Sequence, residues 1–336
     1  MNFKKTSAIL IALSLTLTAC GGVESTALPN DTVYSLISLN VHDWVNPEKS
    51  AATINRVIDL HEEYEIPIGI YLTGPAFQNY VEMEDPLVRR LTESKYVDLG
   101  YHLRPPNPSY SGFDYFGLNK MEEEELYDFL YDYEIHAIDL ETGEATDEAG
   151  GLQFIIDTLG EVPIIAGMGS ADINVKSTLS EIFTDMGVLM TIGRNGIDLG
   201  EETRSLIIRP EHYDLKLYEH VKARSKDGET MEEMFQEALD EMIIATEGPQ
   251  FLGIKYHENN FYWPDTPFGP CMWEEADKNF PSEPPYDLDL CYEGYSSRSL
   301  ADQAEHWELY EATLQYLDEH RTDLNPIGLE DVLEML

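Results

Sequence analysis

Strand-like apolar runs alternate with helical stretches seven or eight times along this 336-residue chain, which predicts an α/β fold. Two further observations narrow the class. Runs such as Pro67 to Thr73 are apolar or aromatic almost throughout, the pattern of parallel strands covered on both faces rather than of exposed antiparallel ones. Three of the runs deliver polar residues at their carboxyl ends: Asn40-Val41-His42-Asp43, Gly100-Tyr101-His102 and Lys255-Tyr256-His257-Glu258. Parallel barrels collect such ends on one face. The expectation is a (β/α) barrel of seven or eight parallel strands, with a doubly wound open sheet as the alternative.

The first strand, Val33 to Leu39, ends at Asn40, and Asn46-Pro47 starts a helix with Ile54, Val57 and Ile58 on one face. Pro67 to Thr73 forms the second strand. A short helix around Leu87 to Leu91 leads to a third, Val97 to Leu103. Arg104-Pro105-Pro106-Asn107-Pro108 fits neither regular helix nor central strand, since proline lacks the amide proton and fixes φ. An aromatic loop follows, then a helix carrying Leu126, Phe129, Leu130 and Tyr133, a turn region from Glu141 to Gly151, and a helix near Leu152 to Leu159. Val162 to Gly169 is the fourth strand. A helix with Leu179, Ile182, Phe183 and Met186 precedes strands at Val188 to Ile192 and Ser205 to Arg209. Met231, Met234, Phe235, Ala238, Leu239, Met242 and Ile243 trace an amphipathic helix whose methionines read as core filler. Phe251 to Tyr256 is a strand, Trp307, Tyr310, Leu314 and Leu317 share a helix face, and Pro326 to Leu329 makes a last short strand.

Residues 1–19 are expected to be a signal peptide: Lys4 and Lys5 precede an apolar stretch, Ala8 to Thr16, too short to span a bilayer. Leu17-Thr18-Ala19-Cys20 resembles a bacterial lipobox, which implies lipidation of Cys20. Residues 20–32 would then be a tether and 33–336 one barrel domain, lipid-anchored in the cell envelope. An ordinary secretory signal is the alternative. Export exposes Cys271 and Cys291, which share one Pro-rich segment, to oxidation. A disulfide is expected there, with buried free thiols as the other reading. With 64 acidic against 21 basic residues, nucleic acid is excluded as a partner, because binding it requires a basic surface. An anionic polymer would be repelled unless a cation bridged the two.

His42, Asp43, His102, Glu211, His212, His257 and Glu258 all follow apolar strands and are candidates for one cleft. Imidazole and carboxylate together suit zinc or another divalent first-row metal. Each residue also has a plain structural reading. His42 and Asp43 can cap the first loop, His102 beside Arg104 can bind an anion, and Glu211-His212 can be a loop feature. Trp44, Tyr110, Phe113, Tyr115, Phe261, Tyr262, Trp263 and Trp273 gather near the same strand ends and suit sugar faces or a roof over the barrel.

The order of these motifs resembles that of the polysaccharide deacetylases, metal-dependent carbohydrate esterases on a distorted (β/α) barrel. In that family a first strand ends in two aspartates, the first a base and the second a metal ligand. Here Asn40-Val41-His42-Asp43 stands in that place, so Asp43 matches the ligand and His42 replaces the base. A second motif offers two metal-binding histidines four positions apart. His102 fits the first, but the second position holds Pro106. A last motif places a histidine after a final apolar strand, as Gly253-Ile254-Lys255-Tyr256-His257 does. The family's arginine motif has no clear counterpart at Gly167-Met168-Gly169-Ser170.

The resemblance implies a carbohydrate deacetylase with a rearranged site. Asp43, His102 and His257 would hold a divalent metal, zinc foremost, with His42, Asp43 and His257 in catalysis. Trp44, Arg104, Glu211, His212, Glu258 and Trp263 would meet the carbohydrate. The alternatives are a non-catalytic glycan-binding lipoprotein on a degenerate barrel, and a metal-free glycoside hydrolase using carboxylates such as Asp43 and Glu258.

Overall fold

The computed structural model describes residues 32–193, 197–203, 205–215, 230–242, 248–274, 278–293 and 297–336. The expected signal peptide, Cys20 and nearly all of the tether lie outside the described residues. Strand β1 (Val33–Val41) is followed by α1 (Pro47–Tyr64), β2 (Ile68–Leu72), α2 (Gly74–Glu82), α3 (Leu87–Glu93) and β3 (Val97–His102). Next come α4 (Glu123–Ile135), β4 (His136–Ile138), β5 (Ala145–Ala149), α5 (Gly151–Leu159), β6 (Ile165–Gly167), α6 (Ile173–Asp185) and β7 (Met190–Ile192). The last third contains β8 (Glu202–Thr203), β9 (Leu206–Arg209), β10 (Tyr213–Leu215), α7 (Met231–Glu241), β11 (Gln250–His257), α8 (Gly269–Met272), α9 (Asp289–Glu293), α10 (Leu300–Glu319), β12 (Leu324–Pro326) and α11 (Leu329–Glu334).

The main sheet runs β10-β11-β1-β2-β3-β6-β7-β9-β8, with β12 alongside the start of β1. The pairings are parallel from β10 through to β9, and only β8 is antiparallel. That is a distorted barrel of eight parallel positions. Among the described residues no ladder joins its two edges, so the sheet curls without full hydrogen-bonded closure. The curl shows in the packing: Tyr34, Leu36, Tyr71, Ile165, Met190 and Phe251, from five different strands, form one interior cluster.

Strand periodicity sorts the two faces. In β1, Ile37, Leu39 and Val41 pack outward under the helices, while Tyr34 and Leu36 point in. In β2, Ile68, Ile70 and Leu72 go out and Tyr71 goes in. The Tyr71 ring lies across Gly100 of β3, where a Cβ would fall 1.8 Å from ring carbon Cδ1. Only a residue without a side chain fits there. Asn40 pairs in register with His257 at one end of the sheet, and Val33 with Gln250 at the other. The carboxyl ends of β1 and β11 therefore reach one level.

The structure adds α2, β4 and β10 to the expected elements and departs from expectation at two others. The region Glu141 to Gly151, expected to be turn only, contains β5, which pairs antiparallel with β4. Its sequence, Ala-Thr-Asp-Glu-Ala, is half exposed and polar, so it lacks the apolar signal of a central strand. The last short strand is Leu324–Pro326 rather than Pro326 to Leu329, because Gly328 already begins α11.

Candidate functional site

His42, His102 and His257 meet at the carboxyl ends of β1, β3 and β11. The His42 ring centroid lies 5.2 Å from that of His257 and 6.0 Å from that of His102. Phe268 closes the side of this group, edge-on to His42 at 5.4 Å. His42 and His102 are buried, and His257 is partly exposed.

Each imidazole is held by protein groups. Arg104 Nε donates to His42 Nδ1 at 3.4 Å, which places the ring proton on Nε2, facing Asn259 Oδ1 at 2.9 Å. Asn40 Nδ2 lies 3.2 Å from His257 Nε2. His102 Nε2 donates to the Val41 carbonyl at 3.3 Å. Burial holds all three rings well below the usual histidine range, with the Arg104 guanidinium adding to the effect at each. The rings are neutral at pH 7 and present hydrogen-bonding nitrogens rather than charge.

Asp43 is satisfied locally. Its Oδ1 accepts from the amides of Val45 and Asn46, both at 2.9 Å. Its Oδ2 accepts from the Tyr262 hydroxyl at 2.6 Å and from Asn46 Nδ2 at 3.4 Å. Glu258, fully buried, uses Oε1 to accept from the amides of His42 at 2.6 Å and Asp43 at 2.5 Å. Burial, reinforced by the Asp43 charge, pushes the Glu258 carboxyl up to about 8. Ser50, bonded to Tyr80 at 2.6 Å, completes this polar pocket beneath the first loop. Two buried acids thus pin the backbone that presents His42.

The divalent metal implied by the resemblance can be tested against these residues. Asp43 has four donors on its two oxygens. Both nitrogens of His42 are engaged, and the cation beside it is a guanidinium. Pro106, in a cis peptide with Pro105, occupies the second-histidine position. Among the described residues no group of three or more His, Cys, Asp or Glu side chains has a metal-holding arrangement. The residues as placed do not fit a metal ion.

The other candidates fall in three places. Arg104 lies at the mouth, its guanidinium 5.5 Å from the Tyr110 ring. Trp44 is buried and stacks on Phe268, which in turn stacks on Trp273, while Phe113 meets Trp273 edge-on. This roof is tied by the Cys271–Cys291 disulfide, with sulfurs 2.09 Å apart. Trp263 is buried in the core with Phe261 and Tyr262. Glu211 and His212 are not brought to the mouth. Glu211 pairs with Arg209 inside the barrel against Gly253, and Arg209 donates to the Tyr71 hydroxyl at 2.7 Å. His212 stacks on Phe251, and its Nδ1 accepts the Phe251 amide at 2.8 Å. Phe251 is six residues before His257 on the same strand, so His212 sits near the opposite end.

Sequence reasoning assigns no role at the site to Asn40, Asn259 or Phe268. Asn40 has a usable signal, since inward alternation from Tyr34 and Leu36 leads to it and then to His42.

No protein-family model and no curated protein matches this chain. Solved structures do. The peptidoglycan deacetylase PdaC from Bacillus subtilis is 12% identical with a TM-score of 0.41, covering 92% of this chain and 93% of that one. A 4-alpha-glucanotransferase from Thermococcus litoralis is 10% identical with a TM-score of 0.47, covering 91% of this chain and 41% of that one. A CE4 family pseudoenzyme from Bacillus anthracis is 8% identical with a TM-score of 0.34, covering 69% of this chain and 58% of that one. The structures similar to this chain thus include a peptidoglycan deacetylase and a pseudoenzyme of the CE4 family.

Proposed function

We propose that this chain is a glycan-binding protein on a deacetylase-like barrel, and that it holds sugar at the mouth without a resident metal. The observation that carries this reading is the commitment of His42 and Asp43 to protein partners. The residues that resemble a base and a metal ligand are both taken up in holding the site's own framework. The mouth itself is lined by neutral imidazoles, the Arg104 guanidinium and the ring of Tyr110. Such groups suit hydroxyl and ring-face recognition, with bonds that direct orientation and a ring that covers apolar sugar surface.

A second reading has one observation in its favour. Ring spacings of 5.2 and 6.0 Å would let three imidazoles turn toward one zinc ion. It requires His42 to leave Asn259 and His257 to leave Asn40. Metal analysis of purified protein separates the two: stoichiometric zinc together with deacetylase activity would overturn the glycan-binding reading. A third reading, glycoside hydrolysis by Asp43 and Glu258, finds both carboxylates bonded to the backbone of the first loop, beneath the mouth.

The proposed setting is the bacterial cell envelope, with the chain anchored through lipid on Cys20. Support comes from the lipobox-like Leu17-Thr18-Ala19-Cys20 and from the disulfide, which suits an oxidising compartment. Mass spectrometry of the amino-terminal peptide tests it: an unmodified Cys20 in native membranes would refute the anchor.

A further inference from the structure

Beside His102 a narrow cleft opens between Trp44, the start of α2 and the Arg104 loop. Its lining is unusual for this chain. With 64 acidic residues against 21 basic ones in the sequence, no Asp or Glu among the described residues lines the cleft, and Arg104 does. Two of its walls also carry buried polar atoms without a described partner. Trp44 and Thr73 are each 3% exposed, and neither Trp44 Nε1 nor Thr73 Oγ1 has a hydrogen-bond partner among the described residues. An indole N–H can only donate, so Trp44 calls for an acceptor. Thr73 stands at the N-cap of α2, yet its hydroxyl makes no capping bond. Gly74 and Pro75, the first turn of that nine-residue helix, line the same cleft and bring the positive end of its dipole to it.

We infer that this cleft is a subsite for a carboxylate, so that the glycan recognised at the mouth carries an acidic sugar. This rests on the glycan-binding reading above and names its ligand class. A guanidinium, an indole N–H, a hydroxyl and a helix amino end place four donors around the cleft, and a carboxylate is the acceptor-only group that answers them. The neighbouring histidines then meet the rest of the sugar. The chain's net charge of −43 disfavours a polyanion. Its reach is screened beyond about 8 Å at physiological salt, so one uronic acid in contact with Arg104 responds to the local donors.

Calorimetry on the full chain tests this. The probes are a tetrasaccharide ending in glucuronic acid and the same tetrasaccharide with its carboxyl reduced to an alcohol, both at 0.15 M salt with chelator. The acidic sugar is expected to bind at least tenfold more tightly. Arg104→Met and Thr73→Val each bring that ratio toward one, while Thr73→Ser retains it, with melting curves checking the fold of each variant. Equal affinity of the two sugars for the wild-type chain overturns the subsite but leaves glycan binding standing. So does a preference unchanged in both variants. Binding of neither sugar overturns both.

Discussion

Arg104 donates through Nε to His42 Nδ1 across 3.4 Å, so the charge beside this histidine belongs to the protein itself. The contact fixes the Nε2–H tautomer, which Asn259 Oδ1 receives. Together with burial it keeps the ring neutral. Nitrogen-detected NMR is expected to show His42 in that tautomer, untitrated at the pH where an exposed histidine takes its proton. Arg104→Met should move its titration upward. A His42 imidazolium at neutral pH would contradict the arrangement.

Glu258 makes stability depend on pH in a defined direction. Its carboxyl is raised from 4.5 to about 8 in the folded chain, by burial first and by Asp43 second. A group with a raised folded pKa contributes its stability below the unfolded value and loses it as pH rises through the folded one. Wild-type stability should therefore fall between about pH 4.5 and pH 8. Glu258→Gln keeps an oxygen for the His42 and Asp43 amides and removes the ionisation. Its stability relative to wild type should grow across that window by roughly 5 kcal/mol, measured by urea unfolding at several pH values. An unchanged pH profile would show that Glu258 is ionised throughout.

Gly100 and Tyr71 form a steric pair inside the barrel. Gly100→Ala places a methyl 1.8 Å from the tyrosine ring, a clash that backbone shifts cannot absorb cheaply. A loss of about 3 kcal/mol or more, or failure to fold, is expected. In a Tyr71→Leu background the same substitution should cost far less, giving a large coupling energy in a double-mutant cycle. Additive effects would show that the Tyr71 ring does not lie across Gly100.

Most of the barrel is legible in the sequence because its central strands are buried on both faces. Ile68–Leu72 is a continuous apolar run, and Val33–Val41 and Gln250–His257 are rich in apolar and aromatic residues between turn signals, which marks them as strands. Helix α2 is not, since Gly74-Pro75 reads as a break although proline is well placed at the first turn of a helix. The convergence of His42, His102 and His257 follows from strand order alone. The height of Glu211 and His212 does not. A short step from β9 to β10 carries the chain from one strand to the start of the next, and linear sequence does not record that stagger. The role of Asp43 turns on the Tyr262 hydroxyl, 219 residues away.

The disulfide carries the roof. Cys271 and Cys291 are 20 residues apart and buried among Trp44, Phe113, Phe268 and Trp273. Reducing the bond, or Cys271→Ala with Cys291→Ala, should lower stability by roughly 3 kcal/mol in the chain-entropy model, read by denaturant unfolding with and without reductant. Sugar binding should weaken in parallel, because Phe268 packs on His42. Full affinity in the reduced protein would detach the roof from the site.

The central claim is that the mouth holds sugar through its own side chains. Calorimetric titration of the chelator-treated chain with an oligosaccharide panel, paired with metal analysis before and after treatment, tests it most directly. The account predicts less than about a tenth of an equivalent of bound metal, an order-of-magnitude bound for a site whose ligands are already engaged, and sugar affinity unchanged by chelation. One equivalent of zinc, with binding or deacetylation lost on its removal, would contradict it.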